Sequence, residues 1–538
     1  MLRFGTALAL AVGLLVASIA AQPRPLGRVV FPNSGSAKAQ GDFLRGLAAL
    51  HSFSYEDAIQ AFRQAQLIDP SFAMAYWAEA LAFSQPLWFH EDVAQARAAL
   101  GRLGPTPAAR LAKAKTAREQ AFLAAVEALW GAGDTSARNR AYSDAMARVA
   151  TSYPDDDEAQ TLYALSILAT LPRGDAALPL RQRAAGVAEK VFARSPTHPG
   201  AAHYLIHACD HPSMAKRGLP AARAYAKIAP DASHALHMPA HTFVQLGLWD
   251  EAALTDEASW NASVRWASRK GLSIAMRDFH SLTWLQYQWT QQGRFSKTAY
   301  ALEQVDQAMK VVKPTDQIGG HHYGESEIGR GVGPAALRND RGSMRARYII
   351  ESERWHEMKG QSSFDNIDEL FALGMASVKL RDFPRADAAI QQIQKALAPD
   401  QDAGLREQAA VMLFEIVALK AMAERRPADA FGALDKAAQL QARMPKPIGR
   451  PYPVKGADEL FGELMLEAGR PKEAVQWFER TLARTPNRSR AVLGLARAKA
   501  KAGDVAGSKA AYKQFLSNWR LADAGLPEIK EARSALTP

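Results

Sequence analysis

Cysteine is all but missing. Of 538 residues only Cys209 is one, so no disulfide can form within the chain and the fold must rest on packing. Long apolar runs are scarce too. The single one opens the sequence, "MLRFGTALALAVGLLVASIAAQP", with Arg3 before an apolar stretch and small residues at Ser18, Ala20 and Ala21. That pattern predicts a cleaved secretory signal over 1–21 and no transmembrane span in the mature chain, and hence a periplasmic or extracellular location. Strand signals are nearly lacking, 28–32 being the one short candidate. Familiar catalytic signatures are missing as well: no H-E-x-x-H, no G-x-S-x-G, no Rossmann or P-loop pattern. The "GRGVG" at 329–333 has no strand before it and no Gly-Lys-Ser/Thr after it. The net charge is +11 with a pI near 9.5, yet Lys and Arg form no runs interleaved with aromatics. The charge reads as solvated helix faces, and a nucleic-acid partner is excluded.

What is present is periodicity. In "GLAALHSFSYEDAIQAFRQAQLIDPSFAMAYWAEALA", Tyr55, Ala58, Phe62 and Ala65 share one helical face, Pro70 stops the segment, and a second helix follows. The same places are held by Gly469, Ala474, Phe478, Leu482 and Pro486, and by Gly503 and Tyr512 in the next unit. Weaker copies carry Gly247 and Trp249, Gly293 and Phe295, and Phe383 and Ala386. One helix pair cannot bury its apolar face alone, whereas stacked pairs share a continuous core. The pattern predicts an all-α solenoid of stacked antiparallel helix pairs, like tetratricopeptide repeats. Residues 22–312 read as a first array, 336–443 as middle repeats and 457–538 as C-terminal repeats. A Gly-rich loop, 313–335, and a Pro-rich linker, 444–456, separate them.

Histidine is unevenly spread. Six of the 13 fall between His203 and His241, in "HPGAAHYLIHACDHP" and "ASHALHMPAHTF". Pro199 suits a first helical position, which puts His203 and His207 one turn apart on a helix ending near Cys209. His234, His237 and His241, at i, i+3 and i+7, also share a face, although Pro239 should kink that helix or delay its start. His234 stands thirteen residues before Gly247, and His280 thirteen before Gly293, so these two hold equivalent places on successive units. His203, His207, His234, His237 and His280 can therefore converge on one wall of the concave groove. Imidazoles at this spacing suit a divalent transition metal such as zinc or copper. Asp210 can serve as ligand or as acceptor behind a ligand. Cys209 and Met238 are soft candidates nearby. A buried hydrogen-bond network between helices is the competing reading. His321 and His322 could reach the groove as a lid from their Gly-rich loop, though a solvated loop is the favoured reading. His51, His90, His198 and His356 look isolated, and "QPLWFHED" at 85–92 reads as an irregular turn whose Trp88 packs.

The stretches "LHSFSYEDAIQAF", "AMAYWAEALA", "HPGAAHYLIHACDHP", "KIAPDASHALHMPAHTFVQLGLWDEA" and "RDFHSLTWLQYQWTQQGR" together resemble a group of exported bacterial tetratricopeptide-repeat proteins, from about residue 27 to the C-terminus. The resemblance implies the fold and the histidine segments, and no particular reaction. In that group the place of His211 is often aromatic and that of Cys209 often Tyr, so it gives neither residue weight as a ligand. Two functions follow. One is a scaffold holding a protein or peptide in the groove, with a histidine-lined metal or ligand site. The other is a metal-dependent enzyme, hydrolytic or oxidative, with Asp210 or Glu257 as base.

Overall fold

The computed structural model describes residues 26–313 and 334–537, apart from Phe89 and Arg173. Within them the chain forms 25 α-helices and one two-stranded sheet of two residues per strand, Ser84–Gln85 against His90–Glu91. The 28–32 candidate is extended but unpaired as a strand. It lies against the start of a later helix, with the Arg28 amide donating to the Thr197 carbonyl at 3.0 Å.

Each helix pair follows the same local logic. Tyr55–Ile68 buries Tyr55, Ala58, Ala61, Phe62 and Ala65, and carries Glu56 and Asp57 in its first turn, where the helix dipole favours acid. Its partner Ala73–Ala82 is buried along its whole length. Small residues let helices close up: a side chain at Gly46 would collide with Phe62, and one at Gly462 or Gly494 with Phe478. The turns inside the pairs need left-handed backbone, supplied by Gly247 (φ +67°), Gly293 (+67°), Gly469 (+74°) and Gly503 (+86°). The result is the tetratricopeptide-like α-solenoid the periodicity predicts.

First helices and second helices differ. Pro199–Ala208, Ser233–Gln245 and Phe279–Gln291 are buried on almost every face. An outer helix such as Pro471–Arg484 buries only Ala474, Phe478 and Thr481. Pro239 sits within Ser233–Gln245, which begins on schedule.

The array also folds back on itself. Asn487 donates to the Gly247 carbonyl at 2.7 Å, and the Trp249 indole donates to the Asn487 carbonyl at 2.8 Å. The Asp523 amide reaches the Gly293 carbonyl at 3.1 Å. Residues 444–456 pack inside this closure. Gly449 lies so close to the Trp284 ring that a side chain there would collide, the Arg347 guanidinium donates to the Pro451 carbonyl, and Lys455 is buried against Glu459 and Glu463. None of the helices among the described residues is long and apolar enough to cross a membrane.

Candidate metal centres

Stacking three first helices side by side brings six histidines into two groups of three. The first joins His203 and His207, from Pro199–Ala208, to His234 at the start of Ser233–Gln245. The Nε2 atom of His203 lies 2.8 Å from that of His234 and 3.0 Å from that of His207. The opposite nitrogen of His203 is 2.6 Å from the His51 carbonyl. A carbonyl can only accept, so Nδ1 carries the hydrogen and, in the neutral ring, Nε2 is the accepting nitrogen turned toward two other imidazoles. That nitrogen can accept a hydrogen from His207 or from His234, or the three near nitrogens can close on a cation. His203 and His234 are buried and His207 is partly exposed.

The second group joins His237 and His241, one turn apart on the same helix, to His280 of Phe279–Gln291. The His237 and His241 Nε2 atoms are 3.0 Å apart, and the His280 ring centroid is 4.8 Å from that of His237. Behind them stand carboxylates: Asp256 Oδ1 lies 2.7 Å from His237 Nδ1, and Asp210 Oδ2 3.0 Å from His241 Nδ1. A carboxylate on the far nitrogen fixes the ring and raises the basicity of the near one, as ligating histidines require. Gln288 holds the other Asp256 oxygen and Gln245 the other Asp210 oxygen. Burial pushes the Asp256 carboxyl well above its ordinary range, against the Gln288 hydrogen bond that lowers it. The Trp284 ring stacks on His241 at 4.2 Å.

A third cluster, His51, Glu158 and His198, is fully buried. Its hydrogen bonds close on themselves. His51 donates from Nε2 to Glu158 at 2.7 Å and accepts from the Tyr204 hydroxyl at Nδ1. His198 donates from Nε2 to the other Glu158 oxygen at 3.0 Å, while its Nδ1 accepts the Ala201 amide and so caps the Pro199–Ala208 helix. Both imidazoles spend both nitrogens, so this trio is a structural network rather than a metal site. Its two histidine partners hold Glu158 far below the usual carboxylate range, and burial draws His51 below its ordinary 6.5.

His51 and His198, which look isolated in the sequence, are therefore a network that braces the first group. Their partners come from helices far apart in the chain, and no local spacing announces them. His51 fits only because residue 200 is glycine, since a side chain there would collide with its ring. Trp88, read as packing, packs its edge against His234 at 5.2 Å.

The remaining candidates stay outside both groups. Asp210 stands behind His241 as an acceptor. Cys209 and Met238 lie in the apolar core, and burial pushes the Cys209 thiol up to about 12, so the donor sets are imidazole. His211 bonds Ser213, and Glu257 pairs with Lys297 at the surface. His321 and His322 fall outside the described residues. Three convergent imidazole nitrogens fit zinc or copper at either group.

Among families, a tetratricopeptide-repeat model matches residues 465–518. No curated protein matches the sequence. Among solved structures the chain is similar to yeast Tom70 (12% identity, 91% of this chain and 87% of that one, TM-score 0.30) and to the Cut9–Hcn1 hetero-tetramer (14%, 87% and 78%, TM-score 0.30). It is also similar to an IFIT1 monomeric mutant (11%, 90% and 100%, TM-score 0.32).

Proposed function

We propose that the chain is an exported tetratricopeptide-repeat scaffold that engages a protein or peptide along its groove and holds transition-metal ions at its two three-histidine groups. One observation carries the metal reading. At His203 the far nitrogen is committed to a carbonyl acceptor, 2.6 Å away, while the near nitrogen faces two more imidazole nitrogens at 2.8 and 3.0 Å. The repeat match over 465–518 supports the scaffold. Residues 1–21 support export. The alternative, a metal-dependent hydrolytic or oxidative enzyme, draws on the partial exposure of His207 and His280, through which an exchangeable ligand can reach a bound ion.

The test uses full-length protein purified without a histidine tag, dialysed against Zn²⁺ or Cu²⁺ and assayed by elemental analysis. About two ions per chain are expected, one for each imidazole group. His207→Asn should remove one and His241→Asn the other. Uptake below half an equivalent would sink the metal reading. Turnover of an ester or a phenol by the loaded protein, abolished by His207→Asn, would favour the enzyme over the scaffold.

A further inference from the structure

The turn of the first helix pair departs from the glycine turns whose hydrogen bonds it shares. Phe53 is its C-terminal cap residue, with its amide on the Leu50 carbonyl and the next amide, that of Ser54, on the Ala49 carbonyl. Gly247, Gly293, Gly469 and Gly503 make the same pair of bonds at the same place. Where a side chain replaces glycine there, as at Glu353, Arg381 and Arg425, it points into solvent. Phe53 instead holds left-handed backbone at φ +55° with its ring 1% exposed. A bulky residue is held there only if its surroundings over-determine it.

Those surroundings are the first histidine group. The Phe53 ring meets all three imidazoles: edge-on to His203 at 4.3 Å, and stacked on His234 at 5.2 Å and on His207 at 5.7 Å, with interplanar angles of 16° and 26°. The same turn supplies the His51 carbonyl that fixes the tautomer of His203. We infer that Phe53 is a positioning residue of this centre: its ring sets the planes of His207 and His234 and closes one side of the ion to water. The inference rests on the metal reading and adds a selectivity element to it. A flat apolar wall against the ligands disfavours additional water in the coordination shell, and so disfavours ions that insist on five or six ligands.

The test follows Co²⁺ by visible absorption in full-length protein carrying His241→Asn, which leaves the first centre alone. The parent should show the intense bands of a low-coordinate ion. Phe53→Gly relieves the backbone but removes the wall. It should weaken those bands as water joins the ion and lower Co²⁺ affinity at least tenfold. Phe53→Leu, which keeps bulk in place, should stay near the parent in band intensity. Unchanged bands and affinity in Phe53→Gly, even with a lower Tm, would overturn the inference while leaving the metal centre standing. No Co²⁺ uptake by the parent would overturn the metal reading and this role with it.

Discussion

Glu158 shows how one side chain can organise a site it does not touch. Its two oxygens take hydrogen bonds from His51 and His198, and the His51 carbonyl then holds His203. In Glu158→Gln the amide nitrogen would face an imidazole N–H, donor against donor. We expect a loss of about 3 kcal/mol, typical of breaking a buried ionic contact, seen as a lower Tm. Metal should weaken at the His207 centre and not at the His241 centre. The pH dependence has a definite sign. His51 is held below its ordinary 6.5 and Glu158 below its ordinary 4.5. The unfolded chain therefore takes up protons at pH values where the folded chain does not. Their stabilisation is whole above pH 6.5, begins to drain below it through His51, and drains further below 4.5 through Glu158. A Tm series from pH 7 to 4 should fall in the parent, and more shallowly below 4.5 in Glu158→Gln. Cys209 gives the opposite window. Held up to about 12 against an ordinary 9.0, it favours the folded state below pH 9 and loses that contribution as pH climbs. A thiol reagent should leave it untouched at pH 8 until denaturant is added.

Helices were the most legible level. Tyr55, Ala58, Phe62 and Ala65 pack as their spacing predicts, and Gly247, Gly293, Gly469 and Gly503 do turn left-handed. Phe53 escaped that reading because side-chain identity at a turn does not reveal φ. Proline read less well. Pro239 does not delay the start of Ser233–Gln245, which runs through it, since a helix buried on all faces is held by its neighbours. One inner helix carries a liability the sequence hides. Glu415, on Ala403–Ala423, is fully buried, and neither of its oxygens meets a hydrogen-bond donor among the described residues. Burial and the acids around it push its carboxyl well above 4.5. A carboxyl raised in this way costs stability at neutral pH, where the unfolded chain ionises freely, and the cost fades in acid. Glu415→Leu should therefore raise Tm at pH 7, by the equivalent of about 1–3 kcal/mol, with the gain shrinking at pH 4.

Closure of the array depends on two turns having no side chain. A Cβ at Gly247 would strike Asn487 and the Pro486 carbonyl, and one at Gly293 would strike Trp519. Gly247→Val should prise the C-terminal repeats from the first array. Small-angle scattering would report this as a larger radius of gyration, and limited proteolysis as new cleavage within 444–456. An unchanged radius would mean that the other contacts, such as Ser489 on the Gln291 carbonyl at 2.5 Å, suffice alone.

The sequence by itself determined the all-α repeat architecture, because apolar spacing and turn residues act over a few residues and each repeat states them again. It also marked His203, His207, His234, His237, His241 and His280, because helix period and repeat register are local arithmetic. Tertiary structure alone decided that these six divide three and three, that Asp210 and Asp256 stand behind the second group, and that His51, Glu158 and Phe53 brace the first. Those choices depend on where helices remote in the chain come to rest, and that is fixed by the packing of whole surfaces rather than by any spacing along the chain.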